Sequence, residues 1–149
     1  VLHQTGSRAA TSQAKKIRKE LDNPKLYRPF DFSSEMAILY GVADLVVGRA
    51  GATTIQELAN AKKPAILIPA SLSDQKKNAA MLKEMGATLI AEQDDLLTKP
   101  EEFISMVQFA VSDESLRSSL VDAMTPLARY DVGALLANKL LDISEVENV

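Results

Sequence analysis

The residues able to do chemistry concentrate in three stretches. The richest is Asp44-Leu-Val-Val-Gly-Arg-Ala-Gly-Ala-Thr-Thr-Ile-Gln-Glu57. Its apolar Leu45-Val46-Val47 run reads as a buried strand. That strand passes through Gly48 and Gly51 straight into a helix predicted over Thr53–Asn60. Gly51 allows a backbone to approach a ligand closely. The amides of Ala52, Thr53 and Thr54 then point out of the helix start, where free N–H groups and the helix dipole attract anions. A diphosphate is the natural guest. Glu57, one turn further in, reaches neutral hydroxyls such as those of a ribose. The competing reading is structural: Thr54-Ile55-Gln56-Glu57 also fits a capping box, with Glu57 bonding back to the Thr54 amide. Spacing alone leaves both open.

The second stretch is Pro29-Phe-Asp-Phe-Ser-Ser-Glu-Met36. Phe32 precedes a capping serine, Ser33 or Ser34, and suits either base stacking or a hydrophobic staple. In the third, Pro69-Ala-Ser-Leu-Ser-Asp-Gln-Lys-Lys-Asn78, the side chains of Asp74, Gln75 and Asn78 suit sugar hydroxyls. The plainer reading there is a solvated loop with Ser73 or Asp74 as N-cap. His3 has no carboxylate placed to orient it as a base and reads as a structural turn residue. Asp94-Asp95 and Glu101-Glu102 fall at loops or first helical turns, where acids suit the dipole. Lys15, Lys16, Arg18 and Lys19 form a basic helix face. It is most simply solvated, and weak attraction to anionic lipid is its functional alternative.

Alternating strands and helices must position these groups. Strands are predicted at Val1–His3, Lys25–Arg28, Leu45–Val47, Ala65–Ile68 and Thr88–Ile90. Helices are predicted at Thr11–Leu21, from Ser33 or Ser34 through Ala43, at Thr53–Asn60 and at Gln75–Met85. A helical tail follows: Pro100–Ser112, Asp113–Leu127 with Pro126 ending or bending it, and Val132–Ile143. Short all-apolar strands imply a parallel sheet covered on both faces. The βαβα alternation gives an α/β, doubly wound, Rossmann-like domain. Ligands of such sheets bind beyond the carboxyl ends of the strands, where all three stretches lie.

Composition removes other classes. The chain has 149 residues, 46% of them hydrophobic and 25% charged, so it is one globular domain and not a disordered chain. It has no cysteine and one histidine, which excludes thiolate chemistry, disulfides and multi-His metal sites. With 17 basic and 20 acidic residues the net charge is −3, without the electrostatic footprint of a nucleic-acid binder. No apolar run has the roughly 20 residues of a membrane span. The opening Val1-Leu2-His3-Gln4-Thr5-Gly6 lacks the pattern of a signal peptide and starts as if in mid-strand, so the chain is expected to be part of a longer one.

Taken in order, several segments resemble the C-terminal half of the MurG glycosyltransferases. These are His3-Gln4-Thr5-Gly6, Phe32 through Met36, Ala43 through Leu58, Ile68-Pro69, Asp74-Gln-Lys-Lys-Asn-Ala79 and Gly86-Ala87. The resemblance spans nearly the whole chain. It implies the donor-binding half of a two-domain GT-B enzyme of glycosyltransferase family 28. Such an enzyme is an inverting hexosyltransferase that moves GlcNAc from UDP-GlcNAc to lipid I, giving lipid II for peptidoglycan. By position, Phe32 matches the residue beside the base and Ser33 the backbone contact to uracil. Gly51 matches the loop, and Ala52, Thr53, Thr54, Ile55 and Gln56 the helix start beneath the diphosphate. Glu57 matches the ribose-binding acid. Gln75 matches the reader of GlcNAc hydroxyls, with Asp74 beside it.

The resemblance implies no cofactor, no metal site and no catalytic residue in this stretch. It implies a cytoplasmic protein peripheral to the inner face of the membrane, whose acceptor is met by a separate N-terminal domain. There are departures. The Asp74 position is commonly His or Gln, and Pro69–Gly86 is slightly short. The strand and glycine-rich loop that precede His-Gln-Thr-Gly in the family are missing, so the chain by itself is expected to be inactive. Other readings are a donor-binding subunit for dolichol-linked GlcNAc, a glycolipid transferase, and a non-catalytic nucleotide-binding module.

Overall fold

Val1 through Gly6 is extended and then turned by Gly6, whose φ of +78° lies in the left-handed region that favours glycine. In a computed structural model, which describes residues 1–70 and 74–146, β1 covers Leu2–Gln4 and pairs in parallel with β2, Arg28–Phe30. Thr5 extends the pairing: its amide donates to the Phe30 carbonyl at 2.8 Å and its hydroxyl to the same carbonyl at 2.9 Å. Between the strands runs α1, Arg8–Arg18, whose N-cap Ser7 accepts from the Ala10 amide. Thr11 and Ala14 form its buried face. These elements belong to a unit of residues Val1–Leu39, and a second unit begins at Tyr40.

Several boundaries differ from expectation. The Ser7 cap starts α1 three residues earlier than Thr11, and it ends before Leu21. The strand expected at Lys25–Arg28 begins only at Arg28, because Pro24 fixes a 3-10 turn over Pro24–Leu26. His3 lies within β1 rather than in the turn. Its Nδ1 is 2.5 Å from the Tyr27 hydroxyl.

In the second unit, Tyr40 lies on α2, Met36–Val42. Then come β3 (Val46–Gly48), α3 (Ala52–Ala61), β4 (Ala65–Leu67), α4 (Gln75–Glu84) and β5 (Leu89–Ile90). The three strands pair in parallel in the order β3-β4-β5. β4 is central, and Ala65, Ile66 and Leu67 are fully buried. Leu58 and Ala59 of α3 and Leu82 of α4 are buried as well. α3 closes on Lys62, a non-glycine residue at φ +52°, and α4 on Gly86 at φ +67°.

The remaining helices are α5 (Asp95–Thr98), α6 (Pro100–Ser112), α7 (Glu114–Met124) and α8 (Val132–Val146). Glu101 and Glu102 sit in the first turn of α6, and the Asp113 side chain caps α7 by accepting from the Leu116 amide. Pro126 stops α7 in a 3-10 turn over Thr125–Leu127. Ile66, Ala91 and Ala110 share a core with Leu96, Phe103 and Met106 on α5 and α6.

One doubly wound sheet was the expectation, and strand pairing gives two parallel sheets, β1-β2 and β3-β4-β5. In the order 3-2-1-4-5-6 the first strand is central.

Candidate functional site

The carboxyl end of β3 leads through Arg49 and Ala50 to Gly51, the N-cap of α3. No side chain caps this helix. Its first internal bond runs from the Ile55 amide to the Gly51 carbonyl at 3.0 Å. The amides of Ala52, Thr53 and Thr54 therefore have no intrahelical acceptor, and Ala52 and Thr53 are exposed. These three donors and the positive end of a ten-residue helix share one small surface. Gly51 has φ −74°, which any residue adopts. A Cβ built on it would meet only the Thr54 hydroxyl, at 3.8 Å, and one on Gly48 only the Thr54 methyl, at 3.9 Å. Among the described residues nothing in the fold demands glycine at 51.

The loop is held from both sides. Asn78 of α4 donates from Nδ2 to the carbonyl of buried Ala50 at 3.0 Å. Arg49 Nη1 donates to Gln93 Oε1 at 2.5 Å and to the Ile68 carbonyl at 3.3 Å. One guanidinium thus ties together the residues that follow β3, β4 and β5. Gln75 Oε1 accepts from the Ala70 amide at 3.1 Å. Asn78 was expected among the readers of a sugar, and the structure gives it a positioning task on Ala50. Asp74 is the N-cap residue of α4, but its side chain does not cap the helix; it pairs with Lys77 at 3.1 Å in the open. Ser73 lies outside the described residues.

Glu57 forms no capping box, because α3 starts at Ala52, two residues before Thr54. Its Oε2 instead accepts a hydrogen bond from the Tyr40 hydroxyl at 2.9 Å. Tyr40 is 7% exposed. Burial, then the hydrogen bond and the charge of Glu57, push its phenol up to about 12 from an ordinary 10.0. Each of these disfavours a phenolate beside a carboxylate. Ile55 is buried in the core. Gln56 spends both protons of its amide nitrogen, on Asn60 Oδ1 and on the Leu127 carbonyl, each at 3.1 Å. Only the backbone of these two residues belongs to the helix start.

Phe32 and Ser33 lie in the first unit. The Phe32 ring is 71% exposed, so it is not the buried staple of a helix start. Ser33 Oγ accepts from the Glu35 amide at 3.1 Å, which turns the chain toward α2. Among the described residues no group of three His, Asp or Glu side chains is placed to hold a metal ion. A cleft of about 340 Å³ opens at the opposite, amino end of β3 and β4. Lys62, Lys63 and Arg117 line it together with Asp44, Glu114 and Asp122, a charge balance with no preference for an anion. The anion-seeking features are those at α3. Sequence reasoning missed Tyr40 and the Arg49–Gln93 clasp; their partners lie 17 and 44 residues away, beyond any local pattern.

The profile of the glycosyltransferase family 28 C-terminal domain matches residues 1–119. The chain belongs to that family. A relative in Xylella fastidiosa is named UDP-N-acetylglucosamine–N-acetylmuramyl-(pentapeptide) pyrophosphoryl-undecaprenol N-acetylglucosamine transferase. It is 39% identical over 116 residues, covering 76% of this chain and 31% of its own length. A protein of the same name from Bacteroides thetaiotaomicron is 28% identical over 148 residues, covering 97% of this chain and 39% of its own length. The chain thus spans between three-tenths and two-fifths of the length of these curated relatives. The crystal structure of Acinetobacter baumannii MurG superposes with a TM-score of 0.76 at 24% identity, over 95% of this chain and 40% of that one. The glycosyltransferase VinC in complex with dTDP superposes at 0.62 with 21% identity, over 76% and 28%. The family 28 domain therefore has the parallel-stranded α/β fold of GT-B glycosyltransferases.

Proposed function

We propose that this family 28 domain binds UDP-GlcNAc as the donor half of an inverting transferase that converts lipid I to lipid II. The observation that carries the reading is the uncapped start of α3 with Glu57 held one turn further along. In this reading the diphosphate accepts from the Ala52, Thr53 and Thr54 amides, close against Gly51. The Ile55 and Gln56 backbone completes the helix whose dipole faces the charge. Glu57 accepts from the ribose hydroxyls. Gln75, with Asp74 next to it, reads the GlcNAc hydroxyls. The names of the relatives, transferases of N-acetylglucosamine to an undecaprenol-linked acceptor, support donor and acceptor alike.

The reaction is a direct displacement. An acceptor hydroxyl attacks the anomeric carbon, the bond to the diphosphate oxygen breaks, and UDP leaves with inverted configuration at the sugar. Negative charge grows on the leaving diphosphate. Preorganised amides at a helix start are worth most where charge develops, and they need no rearrangement as it does. The base that takes the acceptor proton comes from the acceptor domain, so these 149 residues by themselves do not turn the donor over. The whole protein works at the cytoplasmic face of the membrane as a peripheral enzyme.

Calorimetric titration with UDP-GlcNAc, UDP-glucose and UDP-galactose tests this. Tightest binding of UDP-GlcNAc, weakened by Glu57→Ala, is the expected result. Equal affinity for the three sugars would remove the assigned specificity, and absence of UDP binding would remove the site.

A further inference from the structure

Glu57 is half-buried and has a single partner among the described residues, the Tyr40 hydroxyl. Among the described residues no lysine or arginine pairs with it. A carboxylate on a flexible side chain is thus oriented by one phenol, itself buried against the core. The phenol has one proton and gives it to Oε2. This fills one of about four acceptor positions on the carboxylate and sets the plane of the rest. Two vicinal hydroxyls need two acceptor positions in a fixed relation, whereas a single hydroxyl is satisfied by any rotamer that reaches it.

We propose that Tyr40 is the positioning residue through which the site selects ribose over 2′-deoxyribose, by locking the Glu57 carboxylate to receive both ribose hydroxyls at once. The inference rests on the reading of Glu57 as the ribose acid. Tyr40 touches no ligand itself. It orders Glu57 before binding, so the ordering cost is not met by the ligand. The same contact disfavours ionisation of Tyr40, so the phenol stays a donor at every pH at which a nucleotide sugar would be bound.

The test uses UDP and 2′-deoxyuridine diphosphate as probes on the chain at its natural length, with dissociation constants by calorimetry. The readout is the ratio of the two constants. The unmodified protein prefers UDP by about tenfold or more, the worth of one hydrogen bond to a charged group. Tyr40→Phe keeps the buried ring and leaves Glu57 to water, and Tyr40→Leu is a second deletion of the hydroxyl. Both reduce the preference at least about threefold, chiefly by weakening UDP. Glu57→Ala brings the ratio near one. If Glu57→Ala collapses the ratio while the Tyr40 variants keep it, or weaken both nucleotides equally, Tyr40 only fills space and the proposal is overturned. If Glu57→Ala itself leaves the ratio unchanged, the ribose reading fails first.

Discussion

Gly51→Ala separates the needs of the fold from those of the ligand. Gly51 sits at φ −74° and ψ 146°, which alanine adopts without strain, and its Cβ would lie 3.8 Å from the nearest heavy atom. Replacing glycine where the backbone is compatible stabilises by about 0.4–1 kcal/mol, through the unfolded chain. Alanine is a poorer N-cap than glycine by about 0.5–1 kcal/mol. The two offset, so stability changes by less than about 0.5 kcal/mol, and thermal and urea unfolding shift little. Donor binding behaves otherwise. A phosphate seated on the amides of Ala52 to Thr54 lies against residue 51, and a methyl there displaces it. Loss of one charge-assisted hydrogen bond is worth about 1.5–3 kcal/mol, or roughly 10- to 150-fold in affinity. The assays are urea unfolding and calorimetry with UDP-GlcNAc on the same preparations. Full affinity in Gly51→Ala would show that no anion approaches this backbone. A large loss of stability would show that the glycine serves the fold.

Three other outcomes follow from the same geometry. Glu57→Ala weakens UDP-GlcNAc binding by about 1–3 kcal/mol in calorimetry, and an unchanged constant takes Glu57 out of the site. Asn78→Leu strands the carbonyl of buried Ala50 and costs about 1–3 kcal/mol in urea unfolding; a variant as stable as the parent would refute the claim that Asn78 holds the loop. Alkaline absorbance titration shows one tyrosine ionising near pH 12 that Tyr40→Phe removes. The folded phenol lies above its unfolded value of 10.0, so the stability it contributes is full below pH 10 and is lost as pH rises from 10 to about 12. A profile without that late step would sink the account of Tyr40.

Much of this protein was legible in its order of residues. Runs such as Ala65-Ile66-Leu67 announce a strand buried on both faces, and the structure buries all three completely. Gly86 and Pro126 mark helix ends through backbone sterics that act on single residues. The Gly-Arg-Ala-Gly-Ala-Thr-Thr segment sits between a strand and a helix whatever the rest of the chain does, so the start of α3 was readable from spacing. Errors arose where a nearby residue competed. Ser7 took over the start of α1, and Pro24 pushed β2 downstream, each a choice between neighbouring local options of similar energy.

The tertiary structure alone chose among roles that spacing left open. Whether Glu57 capped its own helix or was held elsewhere depended on a phenol 17 residues away. Gln56 was turned toward Leu127 by packing, and Asn78 was claimed by the Ala50 carbonyl, a buried acceptor that has to find a donor. The pattern of apolar and small residues along the chain is governed by local periodicity and backbone sterics, so it determined most of the strands and helices and put a helix start just after Gly51. Which polar atom meets which is governed by the need to satisfy every buried donor and acceptor across the fold. That matching exists only once distant segments have packed together.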